Sequence, residues 1–156
     1  AKNGTYCIIR RIQIHIETWD RTALEEQEAT FGRKRSSGAP LTGKKEFDEL
    51  DLKAKDSTGE YVIPEDAHAR LAREAKTSIK RRAYNYTAGT NEKTGNLETG
   101  LLFISFQKSP QQFIDIQNHL GHKDKLNEYI THRGTATFIV LPGVQKGGYL
   151  GETLFN

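Results

Sequence analysis

The sequence predicts an α+β domain whose antiparallel sheet carries helices on one face. Four segments have the composition of β-strands, and amphipathic helical segments follow the first and the third of them. A polar stretch rich in glycine, threonine and asparagine joins the second and third strands, as is typical of an antiparallel pair. The resulting order, βαββαβ, predicts a ferredoxin-like fold for residues 1–156 as a single domain.

The first strand and helix are predicted from alternation and capping. Residues 6–19 alternate between apolar and polar side chains, which predicts one long strand with a core face. Cys7 lies in this strand, and we expect it to be buried; as the one cysteine of the chain it excludes an internal disulfide. Thr22 and Glu25 form a capping-box pattern for a helix that Gly32 would end.

A basic loop follows at residues 32–41, where three consecutive cations lie among small turn-forming residues. Arg33 or Arg35 could clamp a carboxylate or phosphate through forked hydrogen bonds. A flexible basic loop without a ligand explains the same pattern, so both interpretations stay open. In residues 44–60, three apolar side chains predict a short helix before a closing turn: Phe47, Leu50 and Leu52.

Residues 63–86 contain the most informative stretch of the chain. A proline turn leads into a short helical or turning segment that carries His68. A second strand follows, headed by Lys80, Arg81 and Arg82. A neutral imidazole upstream of a strand arginine suits a protein that holds a metal or haem iron and handles its oxidant. A surface histidine beside a solvated basic patch would give the same pattern.

The last third of the chain completes the predicted fold. Residues 88–99 connect the second strand to residues 101–106, which are apolar enough for a central strand buried on both faces. Ser109, Pro110 and Gln112 predict a capped helix start, and Gly121 its end. We expect a second short helix at 124–132, a final strand at 135–141, and a tail whose apolar residues pack onto the body: Leu154 and Phe155.

Composition and motifs exclude several functions. The net charge is +3, which favours anionic groups but is too small to indicate nucleic acid by itself. Phosphate loops, dinucleotide fingerprints, paired cysteines and hydrolase motifs are missing from the sequence, as are membrane-length apolar runs and a signal peptide. Three histidines could form a metal site: His119, His122 and His132. Residues 80–82 with Tyr84 and Tyr86 resemble a basic and aromatic RNA platform, but the RNP consensus is missing.

An ordered set of short motifs resembles the C-terminal half of dye-decolourising (DyP-type) haem peroxidases, in particular their EfeB-like, iron-dependent bacterial group. The motifs span almost the whole chain in family order. They are residues 6–21, 25–28, 32–33, 38–41, Pro64 with 68–71, 79–82, 100–107, 124–127, 148–149 and 154–155. The resemblance implies a haem b (iron protoporphyrin IX) enzyme that reduces hydrogen peroxide and oxidises dyes, phenolics or ferrous iron.

The resemblance also implies roles for individual residues. His68 matches the haem's proximal ligand, and Asp124 is the candidate acceptor behind it. Arg81 matches the distal arginine, which would stabilise the oxygen that leaves during peroxide cleavage. Arg33 would reach a haem propionate, and Leu101 and Phe103 would line the distal wall of the pocket. Four aromatic residues could pass electrons at the surface, although packing in the core would explain most of them: Trp19, Tyr84, Tyr86 and Tyr149.

One family feature is missing from these residues. The G-x-x-D-G segment, whose aspartate helps peroxide lose a proton, belongs to the family's N-terminal half and does not occur here. We therefore expect the missing half as a companion chain, or a homo-oligomer, with an apolar sheet face between partners. Export is expected from the resemblance, and no nucleic acid partner is expected. The alternative is a haem-free ferredoxin-like module that binds RNA or another anionic ligand through its basic loop.

Overall fold

The structure is a computed structural model that describes residues 4–152. Its strands are β1 (Thr5–Ile14), β2 (Lys80–Arg81), β3 (Tyr84–Thr90), β4 (Leu97–Gln107) and β5 (Ile130–Val140). Its helices are α1 (Ile16–Trp19), α2 (Leu24–Phe31), α3 (His68–Glu74) and α4 (Pro110–Leu120), with one 3₁₀ turn at Lys125–Glu128. Among these residues, the helices are too short or too polar to cross a membrane.

All strands pair antiparallel in one sheet, in the order β2-β4-β1-β5. β3 also pairs with β4 and keeps the register of β2, so the two form one edge strand that is interrupted at residues 82–83. With β2 and β3 counted together, the spatial order is that of a ferredoxin-like sheet. The predicted βαββαβ fold is confirmed.

The two faces of the sheet have different surroundings. On one face, called here the helical face, the ring of Phe103 lies 6.0 Å from that of Phe113 in α4. Ile8 and Ser105 are neighbours on this face and are almost completely buried. On the opposite face, called the open face, Phe138 and Tyr84 remain 50% and 60% exposed. Helices therefore lie on one side of the sheet, as predicted.

Several element boundaries differ from the sequence predictions. β1 ends at Ile14 rather than at residue 19, because the His15 backbone N–H donates to the Tyr129 carbonyl (2.9 Å) and a helical turn follows. The predicted capping box of α2 is wrong. Thr22 donates its hydroxyl to the Thr18 carbonyl (3.1 Å), and α2 has no side-chain cap. Gly32 ends α2 in the left-handed region, as predicted.

Residues 44–60 contain turns and no helix, so that prediction was wrong. Aspartate side chains bind the backbone of these turns: Asp48 accepts from the N–H groups of Lys44 and Lys45 at 2.8 and 2.9 Å. These two bonds lower the pKa of the Asp48 carboxyl. Phe47 is 91% exposed instead of anchoring a helix. The apolar side chains were too few to outweigh this local side-chain capping.

The second half of the chain has longer strands than predicted. The β3–β4 turn is confined to residues 91–96, and β5 begins at Ile130, which pairs with Ile14. The expected helix at 124–132 is therefore wrong and reduces to the 3₁₀ turn. β4 is interior to the sheet as predicted, but its apolar side chains are half-buried on both faces rather than fully buried.

Three smaller predictions have clear outcomes. The Ser109 capping box and the Gly121 helix end are confirmed, with the Ser109 side chain accepting from the Gln111 N–H (3.2 Å). Cys7 is buried. The expected packing of Leu154 and Phe155 lies outside the described residues.

Gly32 generates a stability prediction because it combines a φ of 73° with close packing. A Cβ there would lie 2.9 Å from Ile63 Cγ2 and 3.3 Å from Ala67 Cβ. We expect Gly32→Ala to lower the free energy of unfolding by about 1 kcal/mol from backbone strain plus roughly 1–3 kcal/mol from overpacking. Urea denaturation followed by circular dichroism measures the change.

Gly59→Ala is the matched control for this substitution. Gly59 has a similar φ of 90°, but an added Cβ would meet nothing within 4 Å. We expect it to lose only the backbone part. Equal losses at the two glycines would show that Gly32 does not need its close approach to residues 63 and 67.

Candidate functional site

His68 is the first residue of α3, and the segment before it is held by a buried cation. The Arg70 side chain donates from Nη2 to the carbonyls of Ile63 (2.7 Å) and Leu52 (2.8 Å), and from Nε to that of Pro64 (3.1 Å). These charge-assisted bonds satisfy carbonyls of a segment that forms no regular secondary structure. The Arg70 guanidinium therefore fixes the turn that presents His68.

The end of α2 packs against the same turn. Gly32 fits against Ile63 and Ala67, and the ring of Phe31 lies 6.3 Å from the imidazole of His68 at 77°. Phe31 is in turn supported by Trp19, at 5.5 Å between ring centroids. Edge-to-face aromatic packing of this kind fixes ring orientation as well as burying apolar area. The imidazole therefore has an aromatic neighbour on one side.

Asp124 lies directly behind His68. Its Oδ2 is 2.7 Å from His68 Nδ1, and its Oδ1 accepts from the Leu126 N–H at 3.0 Å. The carboxylate is 3% exposed, whereas the imidazole is 28% exposed. Because a carboxylate accepts, Nδ1 donates to it, and in the neutral imidazole the lone pair then lies on Nε2. An imidazole in this tautomer can act as a metal ligand, with its orientation set by the carboxylate.

The 3₁₀ turn that starts after Asp124 is attached to the His68 segment by two further contacts. The Lys125 N–H donates to the Asp66 carbonyl (3.1 Å), and the Lys125 ammonium forms an ion pair with Glu26 of α2. The hydrogen bond to Glu26 raises the pKa of Lys125. Asp124 and His68 are thus held by two segments that are themselves connected.

Arg81, Leu101 and Phe103 lie elsewhere, on the helical face of the sheet. Arg81 pairs with Ser105, and side chains two apart on β4 share its face, so all three predicted residues point to the same side. Arg81 is exposed, and Leu101 and Phe103 are half-buried. Within residues 4–152, no hydrogen bond or ion pair joins Arg81 to His68.

Arg33 uses part of its guanidinium inside its own loop. Its Nη1 donates to the carbonyls of Gly38 (2.6 Å) and Glu46 (2.9 Å). Arg35 similarly donates from Nη1 to Gln27 Oε1 (2.8 Å). In the part of the chain that the structure describes, Nε and Nη2 of Arg33 make no hydrogen bond. The loop cations therefore order the loop, and Arg33 retains one side for a ligand.

The aromatic residues that the resemblance marked as surface sites fall into two groups. Trp19 packs between Phe31 and Tyr129, and Tyr86 lies under the guanidinium of Arg11 at 4.8 Å. The other two are 60% exposed: Tyr84 and Tyr149.

The donor set fits a metal that brings most of its own ligands. Among residues 4–152, no three histidine, cysteine, aspartate or glutamate side chains lie close enough to hold a metal ion. The three-histidine site is therefore not formed: His119 pairs with Glu74 (3.7 Å), and His132 lies in β5. A single imidazole with a carboxylate behind it would suit a haem, whose iron takes most of its ligands from the porphyrin.

Arg10 is a residue that the sequence analysis missed. It lies on the helical face between Ile8 and Ile12 and pairs with Phe103 across the sheet. The signal was present in the alternation, because Arg10 puts a cation where an apolar residue is expected. Its guanidinium is half-buried and lies 4.8 Å from the ring centroid of Phe113.

Fold and site together define a ferredoxin-like α+β domain with one partly exposed histidine that is held by a buried carboxylate. The family is more specific. The family described as "Dyp-type peroxidase, C-terminal" matches residues 1–145. The chain belongs to the Dyp-type peroxidase family, and the resemblance seen in the sequence is confirmed.

Curated relatives and solved structures agree with this assignment. The chain is 42% identical to a deferrochelatase of Yersinia pestis, over 100% of this chain and 37% of the relative. It is 38% identical to a dye-decolorizing peroxidase of Thermobifida fusca, over 98% and 36%. A DyP-type peroxidase structure from Cellulomonas bogoriensis superposes with a TM-score of 0.92 at 39% identity, over 99% and 43%. The chain thus spans well under half the length of these relatives.

Proposed function

We propose that this chain is the haem-binding part of a peroxidase that reduces hydrogen peroxide and oxidises a second substrate. The observation that carries the proposal is the His68–Asp124 pair, which leaves Nε2 free in a chain of the Dyp-type peroxidase family. Iron protoporphyrin IX, when bound, would supply the redox chemistry. The haem type is an expectation from the family resemblance.

His68 would hold the iron through Nε2, and Asp124 would do two things for it. Its Oδ2 fixes the ring orientation and the tautomer by accepting from Nδ1. By accepting from Nδ1 it would also increase electron donation from Nε2 to the iron. Because Oδ1 of Asp124 accepts from the Leu126 N–H, the carboxylate cannot follow a rotating imidazole without breaking this second hydrogen bond.

Arg81 would act on peroxide from the sheet side. A fixed guanidinium stabilises negative charge that develops on oxygen as the O–O bond breaks. Its exposure leaves its donors open to a ligand, and the half-buried Leu101 and Phe103 on the same face would limit water beside it. The free side of Arg33 would bind a haem propionate.

The reducing substrate is proposed from relatives rather than from geometry. Relatives carry the names dye-decolorizing peroxidase and deferrochelatase, so dyes are one candidate for this chain. Phenolics and ferrous iron are candidates from the family resemblance in the sequence. Exposed Tyr84 and Tyr149 would suit a bulky donor that reacts at the surface. The haem-free alternative has less support, because Arg35 donates to Gln27 of α2 and Arg33 uses Nη1 on the carbonyls of Gly38 and Glu46, so both guanidinium groups are partly engaged within the chain.

We also propose that the open face is covered by the other half of the protein. Apolar side chains of three neighbouring strands lie on this face, and the relatives are more than twice as long as this chain. They are Ile9, Leu102, Ile104, Phe106 and Phe138. That half would also supply the acid–base residue that the family resemblance implies and this chain lacks.

Haem titration tests the axial ligand. We expect the wild-type protein to give a Soret band with iron protoporphyrin IX, and His68→Ala to lose it because no other side chain replaces Nε2. His119→Ala is the matched control, since His119 is exposed and its ion pair within residues 4–152 is with Glu74. Failure of the wild type to take up haem, even with the missing half supplied, would overturn the proposed function.

Arg81→Leu tests the peroxide side. We expect peroxide turnover to fall by roughly a hundredfold to a thousandfold because a fixed charge is lost from the transition state, while the Soret band stays. Stopped-flow absorption measures the rate. Arg82→Leu is the control. The Arg82 backbone N–H donates to the Ile104 carbonyl, and because side chains alternate along the strand, the Arg82 side chain points to the face opposite that of Arg81. Unchanged kinetics in Arg81→Leu would remove this residue from the mechanism.

Sedimentation tests the open face. We expect this chain alone to self-associate, and Phe138→Glu to shift it toward monomer because a charge replaces a half-exposed apolar ring on the open face. Leu150→Glu is the control, since Leu150 is 68% exposed in the segment after β5. A monodisperse monomer of the unmodified chain would contradict the proposal that the open face is an apolar association surface.

A further inference from the structure

Arg10 is a half-buried cation whose protein contacts are all neutral. Its Nε donates to Thr135 Oγ1 (2.9 Å), its Nη1 donates to Gln117 Oε1, and its guanidinium faces the ring of Phe113. No carboxylate among residues 4–152 lies within 4 Å of it. The three contacts leave one Nη1 hydrogen and both Nη2 hydrogens unused in the described chain.

Two other arginines have a carboxylate partner of the kind that Arg10 lacks among the described residues. Arg70, which is buried, has Glu74 at 3.5 Å, and Arg11, the next residue on β1, has Glu98 at 3.6 Å. Removing a guanidinium from water without a counter-ion is unfavourable, so buried charges in proteins are normally paired. Burial lowers the pKa of Arg10, as expected for a cation without a compensating acid.

The charge of Arg10 also acts on His132. It is the next residue on this face of β5 after the bulge, where it pairs with Ile12. Partial burial of the imidazole lowers the pKa of His132, and the charge of Arg10 lowers it further. Two basic side chains therefore adjoin each other with no acid among their described contacts, which makes this part of the helical face attractive to an anion.

The position of Arg10 relates it to the proposed haem site. It pairs with Phe103, which shares a face with Arg81. Its partner Gln117 lies one helical turn before Leu120, whose carbonyl accepts from the Asp124 N–H (3.1 Å). Through α4, Arg10 is thus connected to Asp124, the residue that holds His68. Arg33, in contrast, lies in the loop after α2.

We propose that Arg10 binds a carboxylate of the haem, and that this propionate is the counter-ion that the fold omits. The inference rests on the proposed function, because it requires haem to be the ligand. A permanently bound group supplies a permanent counter-charge, which a transient substrate does not. The unused hydrogens of Nη1 and Nη2 provide the forked geometry that carboxylates prefer.

The test compares iron protoporphyrin IX with its dimethyl ester, which has the same ring and no carboxylates. Binding of each is titrated by absorption in the wild type, in Arg10→Met and in Arg11→Met. We expect Arg10→Met to weaken binding of the diacid by roughly tenfold to a hundredfold, the range for a lost charge-assisted hydrogen bond, and to leave ester binding unchanged. Arg11→Met, on the open face of the same strand, should change neither.

Each other outcome overturns the proposal. Equal weakening of diacid and ester would show that Arg10 shapes the site without binding a carboxylate, and no weakening would show that the anion is not a propionate. If the wild type binds neither porphyrin, the proposed function itself fails. Arg10→Gln, which keeps neutral hydrogen-bonding capacity toward Thr135 and Gln117, replaces Arg10→Met if the latter does not fold by near-ultraviolet circular dichroism.

Discussion

The hydrogen bond from His68 Nδ1 to Asp124 Oδ2 is the interaction on which the rest of the site depends. The two residues are 56 positions apart, and the whole sheet hairpin and α4 lie between them in the chain. Their 2.7 Å contact therefore requires the end of α4, the 3₁₀ turn and the start of α3 to be placed correctly at once. A nearly dry carboxylate with an N–H donor on each oxygen is satisfied only in the folded state.

The contacts around this bond explain otherwise unrelated features. Arg70 satisfies carbonyls before α3, Gly32 lets α2 end against the same turn, and Lys125 connects the 3₁₀ turn to Asp66 and Glu26. Each fixes one of the segments that meet at His68. Rigid support of this kind is what a metal ligand needs, because small displacements of the imidazole change its bond to the metal.

The sequence predicted the fold well wherever a local pattern decided the structure. The alternation of β1, the capping box at Ser109 and the glycine at position 32 each specify one conformation by themselves. Predictions failed where distant backbone partners decided. β1 stops because His15 bonds Tyr129, and the helix expected at 124–132 gives way to a strand because Ile130 pairs with Ile14. A local pattern carries no information about such partners.

The candidate site shows the same division. The pairing of His68 with Asp124 came from family resemblance plus the rule that a ligating histidine needs an acceptor, and the structure brings the two together. Arg10 was visible as an exception to alternation, but its meaning required knowing that its contacts are uncharged. Residue spacing can place a side chain on a face; only three-dimensional packing shows which charges remain without a partner.

The interrupted edge strand gives the hairpin an importance beyond its own stability. Arg81 belongs to a two-residue strand, and its direction is set by pairing with Ser105 rather than by packing of its exposed side chain. Because strand side chains alternate, shifting this pairing by one residue would turn Arg81 to the opposite face while leaving every residue of the site in the sequence. A deletion in the 91–96 turn is therefore a change to the site itself, although none of the turn residues is proposed to touch a ligand.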